Sequence, residues 1–157
     1  MLSTQRSVSL DAWVRLLQAH AATTRALSGS LLAQHGLTIN DYEALMRLAR
    51  ADEGRMRRVD LSEELLLTAS GVTRLLDGLE AAGYVDRAAC SSDRRVVYAV
   101  ITDAGRDKLE EAAESHFAEV RALFEERFGA DELKQLADLL GRLPGAENAA
   151  GEDCNVD

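Results

Sequence analysis

Residues 57–102, RRVDLSEELLLTASGVTRLLDGLEAAGYVDRAACSSDRRVVYAVIT, divide into two short helices, a strand, a charged tip and a second strand. Asp60-Leu61-Ser62-Glu63 has the form of a helix start, with Asp60 as the expected cap and Glu63 three residues on to close a capping box. A short helix to about Leu66 follows. Thr68 is the expected cap of a second helix, in which Val72, Leu75, Leu76, Leu79 and Ala82 recur on one apolar face, and Gly83 is its expected stop. At about 100° per residue, Ser70, Arg74, Asp77 and Ala81 share the opposite face, with Thr73 and Gly78 at its margins. Small polar residues and an arginine there fit a helix-turn-helix whose second helix enters the DNA major groove. A two-helix corner in an all-α core fits these two helices as well.

The residues that follow favour the first reading. Residues 84–89 and 96–101 are β-rich runs, and Cys90-Ser91-Ser92-Asp93-Arg94-Arg95 lies between them as a charged hairpin tip. A hairpin directly after a recognition helix is the wing of a winged helix, and arginines at its tip suit phosphates or a narrow minor groove. The alternative is a solvated loop whose arginines serve solubility. Arg57-Arg58-Val59 is expected to add a third short strand beside the wing.

Here the chain resembles the MarR-type transcriptional regulators. The likeness runs through Leu61-Ser62-Glu63-Glu64-Leu65, Ser70-Gly71-Val72-Thr73-Arg74-Leu75 and Leu79-Glu80-Ala81-Ala82-Gly83-Tyr84-Val85. Its most specific part is Asp93-Arg94-Arg95 followed by Ile101-Thr102-Asp103-Ala104-Gly105. With the flanking helices it covers roughly residues 9 to 143. It implies a mainly α fold with a small β-wing, a winged helix-turn-helix flanked by long N- and C-terminal dimerisation helices.

Composition is compatible with this. A chain of 157 residues with 46% hydrophobic residues is one domain's worth of globular protein, and a single proline with few aromatics favours helix. No apolar run approaches membrane-spanning length and no apolar signal region opens the chain, so a cytoplasmic protein that does not engage membranes is expected. The net charge of −9 is at odds with DNA binding only until it is divided along the chain. Residues 1–54 carry five charges of each sign and residues 55–106 eight of each, so the excess lies wholly in residues 107–157, with five positive and fourteen negative. Within the module, Arg55, Arg57, Arg58, Arg74, Arg87, Arg94 and Arg95 are expected on one side, with Glu63, Glu64 and Glu80 facing elsewhere.

Outward from the module, residues 1–8 lack periodicity and are expected to be a disordered arm. Ser9 is a plausible cap for a helix to about Gln34, with Leu10, Trp13, Val14, Leu17, Ala21, Thr24, Leu27 and Leu31 as its apolar stripe and Gly36 after it. Thr38 starts another helix, to about Arg50, with Leu45, Leu48 and Ala49 inward. After the wing, Thr102 or Asp103 caps a long helix to about Phe128, and residues 131–143 form a last one carrying Leu133, Leu136, Leu139, Leu140 and Leu143. Residues 144–157 are expected to be disordered. The assignment is one domain, with dimerisation helices at 9–35 and 103–143 around a DNA-binding module at 38–102. The terminal helices carry more apolar surface than so small a module covers, which predicts a homodimer.

The resemblance implies a repressor that presents two winged helices to a pseudo-palindromic operator in double-stranded DNA. Ser70, Thr73 and Arg74 would approach base edges and phosphates, Arg95 would enter the minor groove oriented by Asp93, and Arg94 would lie on the backbone beside it. A small aromatic or phenolic effector between the dimer helices and the winged helix would release the operator. Trp13, His20, Tyr42 and His116 are the polar-tipped side chains that could line such a site, although each fits a core role too.

Redox sensing through Cys90, beside arginines that lower a thiol's pKa, is an alternative, and a small residue at a strand end is the plainer account of it. Cys90 and Cys154 form no disulfide framework. The three histidines and two cysteines lack zinc-site spacing, and without a phosphate loop or nucleophile elbow no metal, cofactor or enzymatic activity is expected. A winged-helix module that binds protein rather than DNA remains the reading from a different class.

Overall fold

The computed structural model describes residues 7–146, so most of the expected N-terminal arm and acidic tail, Cys154 included, lies outside it. The elements are α1 (Val8–His35), α2 (Ile39–Arg50), a 3-10 turn (Asp52–Gly54), β1 (Arg55–Arg57), α3 (Arg58–Glu64), α4 (Ala69–Ala81), β2 (Val85–Ala89), β3 (Val97–Ile101), α5 (Asp103–Glu125) and α6 (Ala130–Leu140). The chain divides into two compact units, Met1–His116 and Phe117–Asp157. No helix among the described residues is long and apolar enough to cross a membrane.

In the first unit the core is an aliphatic cluster drawn from every element around the helix-turn-helix. Leu45 and Leu48 of α2, Leu61 of α3, Val72, Leu76 and Leu79 of α4, Val85 of β2 and Ile101 of β3 are all buried. The α4 residues among them recur every three or four positions, so one helical face is spent on the core and the other is left to solvent. Ala82, placed on that face by periodicity, is exposed because α4 ends at Ala81 and Gly83 turns the chain away at φ 79°.

Strand β3 is the centre of a three-stranded antiparallel sheet in the order β1-β3-β2. It pairs Val97–Ile101 with Ala89–Val85 on one side and Tyr98–Val100 with Arg57–Arg55 on the other. The third strand is therefore present but lies two residues earlier than Arg57-Arg58-Val59, and Arg58 and Val59 open α3. That shift also displaces Asp60 from the cap. It sits in the first turn of α3, where a carboxylate suits the helix dipole, and receives the Arg57 guanidinium instead of capping N–H groups.

Other caps follow the sequence closely. Thr38 and Asp41 close a capping box on α2, with the Thr38 N–H donating to Asp41 Oδ2 at 2.8 Å, and Thr68 Oγ1 accepts the Gly71 N–H at 3.0 Å. Helix α1 starts at Val8 with Ser7, rather than Ser9, as its cap. It ends where Gly36 adopts φ 68° and donates its N–H to Leu32 O. In the second unit α5 stops at Glu125, three residues short of Phe128, with Arg127 donating to Leu123 O at 2.7 Å, and α6 starts at Ala130 and stops at Leu140.

Thr102 joins wing to α5. Its hydroxyl donates to Gly83 O at 2.7 Å and accepts the Gly105 N–H at 3.0 Å, while its own N–H donates to Tyr84 O at 3.0 Å. One side chain thus caps α5 and ties it to the end of α4.

Leu66, in the turn between α3 and α4, holds φ 53° with its side chain 92% exposed. A leucine there carries left-handed backbone strain with no packing in return. Leu66→Gly is expected to raise unfolding free energy by about 0.5–1 kcal/mol, the relief of strain being partly offset by the more flexible unfolded chain. Urea denaturation checks it, and a destabilised variant would mean that the side chain has a packing role.

Candidate nucleic-acid interface

The exposed strip of α4 carries Ser70, Arg74, Asp77 and Ala81, as its helical spacing requires. Ser70 Oγ lies 3.2 Å from Thr68 Oγ1 at the start of the helix. Thr73 is half-buried and donates its hydroxyl back to Ala69 O at 2.8 Å, which leaves its oxygen lone pairs for an incoming donor. Between α4 and the wing runs a cleft of 320 Å³ lined by Arg58, Thr73, Leu76, Arg87, Ala88, Ala89 and Val97.

The arginines fall into two groups. Arg55 pairs with Glu53 and lies over the Tyr98 ring, Arg57 pairs with Asp60 in a two-pronged contact of 2.7 and 2.8 Å, and Arg87 pairs with Asp77 and Glu80. Asp60 accepts hydrogen bonds from the Arg57 guanidinium and so raises its pKa further. Arg58, Arg74, Arg94 and Arg95 make no ion pair among the described residues and are exposed. Of the arginines expected together on one side, Arg55, Arg57 and Arg87 are therefore committed to acids. Glu80, expected to face elsewhere, meets the wing through Arg87.

At the wing tip Asp93 accepts the backbone N–H of Arg95 at 3.0 Å, and Asp93 O accepts the Val96 N–H. Asp93 thus shapes the turn that carries Arg95 rather than gripping its guanidinium. The Arg94 and Arg95 side chains project from a fixed backbone into solvent.

Cys90 directly follows the first wing strand, with its Sγ 3.1 Å from Ser92 Oγ. The thiol pKa is lowered by the Ser92 hydroxyl and by the backbone N–H groups of Ser92 and Asp93, not by the neighbouring arginines. Alkylation by iodoacetamide in a Cys154→Ser background is expected to rise at lower pH than for an ordinary thiol. Ser92→Ala should move that rise upward, because the thiolate loses a hydrogen-bond donor. An unmoved profile would remove Ser92 as the cause.

Of the four side chains singled out for an effector, Tyr42 and His116 come together. Their ring centroids are 4.8 Å apart, joining α2 to α5, and Tyr42 is buried. Trp13 and His20 are exposed on α1 and take no part in that contact; Trp13 is 56% exposed rather than a core residue. None of the four lines the cleft beside α4. Nearby, and without a signal in the sequence, His35 Nε2 lies 2.6 Å from Ser115 Oγ, a contact eighty residues long in sequence that only the packing of α1 on α5 creates.

Comparison with known proteins agrees with this geometry. A model of the MarR family matches residues 35–96. The HTH-type transcriptional repressor YetL of Bacillus subtilis is 31% identical over 114 residues, which are 71% of this chain and 68% of that protein. Among solved structures, AbsC, a MarR family transcriptional regulator from Streptomyces coelicolor, is 31% identical, with 96% of this chain and 100% of that chain covered and a TM-score of 0.78. Sco3205 from the same organism, a MarR family regulator solved in complex with DNA, is 26% identical over 85% of this chain and 88% of that chain, with a TM-score of 0.76. With a helix-turn-helix, a wing and these relatives in place, the chain belongs to the MarR family of DNA-binding transcriptional regulators.

Proposed function

We propose that the protein is a homodimeric, sequence-specific repressor that binds a pseudo-palindromic operator and is released from it by a small aromatic or phenolic effector. The observation that carries the DNA part is the distribution of free cations. Arg58, Arg74, Arg94 and Arg95, at the start of α3, on the exposed strip of α4 and at the wing tip, lack acidic partners among the described residues, in a chain whose net charge is −9. An acidic protein that leaves these arginines unneutralised has a local cationic footprint. Ser70, Thr73 and Arg74 are the proposed readers in the major groove and Arg95 in the minor groove. Arg94 serves as a backbone contact, Asp93 as the residue that sets the turn, and Arg58 as a flanking cation, whereas the expected contribution of Arg57 is taken up by Asp60. The repressor assignment follows YetL, and DNA as partner follows Sco3205.

Dimerisation is supported by uncovered apolar surface. Val8, Leu10, Trp13, Leu17 and Leu32 of α1 are exposed, and α6 buries none of its residues although leucine recurs along it. Helices of this composition need a second copy to cover them. The effector part rests on the tilted ring contact of Tyr42 and His116, with Trp13 and His20 as more distant candidates on α1.

Selection from randomised duplexes, followed by gel shifts at two salt concentrations with and without salicylate, tests the proposal. The expected result is an enriched two-fold-symmetric sequence, bound tightly and salt-sensitively and released by the aromatic. No enrichment and no salt-sensitive binding would favour a protein-interaction module. Binding that salicylate leaves intact but peroxide abolishes would favour sensing through Cys90, whose lowered thiol pKa is the observation behind that second reading.

A further inference from the structure

Arg87, on β2, reaches back from the wing to the recognition helix. Its Nη2 is hydrogen-bonded to Asp77 Oδ1 and its Nε lies 2.8 Å from Glu80 Oε2. Asp77 and Glu80 are three residues apart on α4, so their carboxylates are neighbours on one helix surface, and a planar guanidinium can span both. Asp77 shares the exposed strip of Ser70 and Arg74. Arg87 also lines the cleft between α4 and the wing, together with Arg58 and Thr73.

Two carboxylates on a surface that approaches phosphates repel DNA unless they are screened. A guanidinium whose donors are turned to carboxylates is, conversely, withheld from phosphates. We infer that Asp77 and Glu80 are positioning residues that hold Arg87 off the DNA backbone and so limit the sequence-independent part of binding, and that Arg87 in return screens their charge. Phosphate contacts add affinity for every sequence alike, so withholding one lowers operator and random-sequence binding by the same factor and makes both less salt-dependent. The inference rests on the proposed reading of α4 and the wing as the DNA-binding face.

The test measures affinity against salt for the selected operator and for a mixed-sequence duplex, with wild type, an Asp77→Asn/Glu80→Gln double variant and Arg87→Gln. The double variant frees Arg87. It is expected to bind both duplexes about tenfold more tightly, with a log–log salt slope steeper by about 0.9 for each phosphate gained per module, and to keep the affinity ratio between them. Arg87→Gln is expected to weaken both probes by a similar factor without flattening the slope, because no phosphate contact is lost.

A double variant with unchanged slope and unchanged mixed-sequence affinity overturns the inference. So does an Arg87→Gln slope flatter by about 0.9, which would make Arg87 itself a phosphate ligand. Circular dichroism monitors folding, and should the double variant fail to fold, the Arg87→Gln slope decides alone. Wild type that binds neither probe would sink the DNA reading itself; wild type that binds normally while both variants leave slope and affinity untouched sinks only the clasp.

Discussion

Gly105→Ala is expected to cost about 3 kcal/mol of stability, far more than a single methyl group normally does. Gly105 is buried in the first turn of α5, and a Cβ placed on it would collide with the carbonyl oxygen of Tyr84 and come within 2.9 Å of Ile101 Cγ1. The obstacle is backbone, so it cannot rotate away. That carbonyl already accepts the Thr102 N–H, and Thr102 caps α5 while holding Gly83 O, so moving Tyr84 would loosen three hydrogen bonds at one junction. Relief by tilting α5 would pull Ala112 from the core, where it is fully buried. Guanidinium denaturation of wild type and variant measures the loss, and a loss below about 1 kcal/mol would mean that α5 shifts at little cost.

This junction gives a physical meaning to the stretch Ile101-Thr102-Asp103-Ala104-Gly105, which together with Asp93-Arg94-Arg95 is the most specific part of the family likeness in the sequence. Ile101 fills the core, Thr102 caps, and Gly105 permits contact with the end of α4. The capping role of Thr102 is legible in sequence because caps are local chemistry. The need for glycine at position 105 is not, because the atom it avoids comes from Tyr84, across the hairpin.

The same division runs through the rest of the chain. Periodicity locates the buried face of α4, the caps Thr38 and Thr68 and the strands of the wing, since each depends on neighbours within a few residues. Asp60, expected from the sequence to cap α3, does not cap it. A carboxylate near a helix start suits either a cap or a first-turn position, and the pairing of Arg55–Arg57 with β3 decides by drawing the cap three residues back, to Arg57. Arg87 was illegible for another reason. Its direction depends on Asp77 and Glu80 being presented by a different element, so counting arginines along the module overstates the cations available to DNA. Trp13 lies on an apolar stripe yet is exposed in the single chain, because an amphipathic pattern specifies that a face is covered without specifying by what.

Arg95→Ala is expected to have the largest effect on binding and almost none on folding. The side chain is exposed at the wing tip and makes no ion pair among the described residues, and the turn beneath it is held by backbone groups and Asp93, none of which the substitution removes. Loss of a base-reading arginine costs about 1–3 kcal/mol. In a homodimer on a two-fold operator the substitution is made twice, so the total becomes about 2–6 kcal/mol, roughly a thirtyfold to twenty-thousandfold weaker complex. Arg94→Ala is a useful contrast. As a phosphate ligand it should weaken operator and mixed-sequence DNA alike and flatten the salt slope by about 0.9 for each module. Anisotropy titrations of both variants on both probes separate the roles. Arg95→Ala should lower the affinity ratio between operator and mixed sequence, whereas Arg94→Ala should leave that ratio nearly unchanged. An Arg95→Ala protein that melts like wild type and keeps its operator affinity would take the wing tip out of the interface and leave recognition to α4, where the exposed Arg74 makes no ion pair among the described residues.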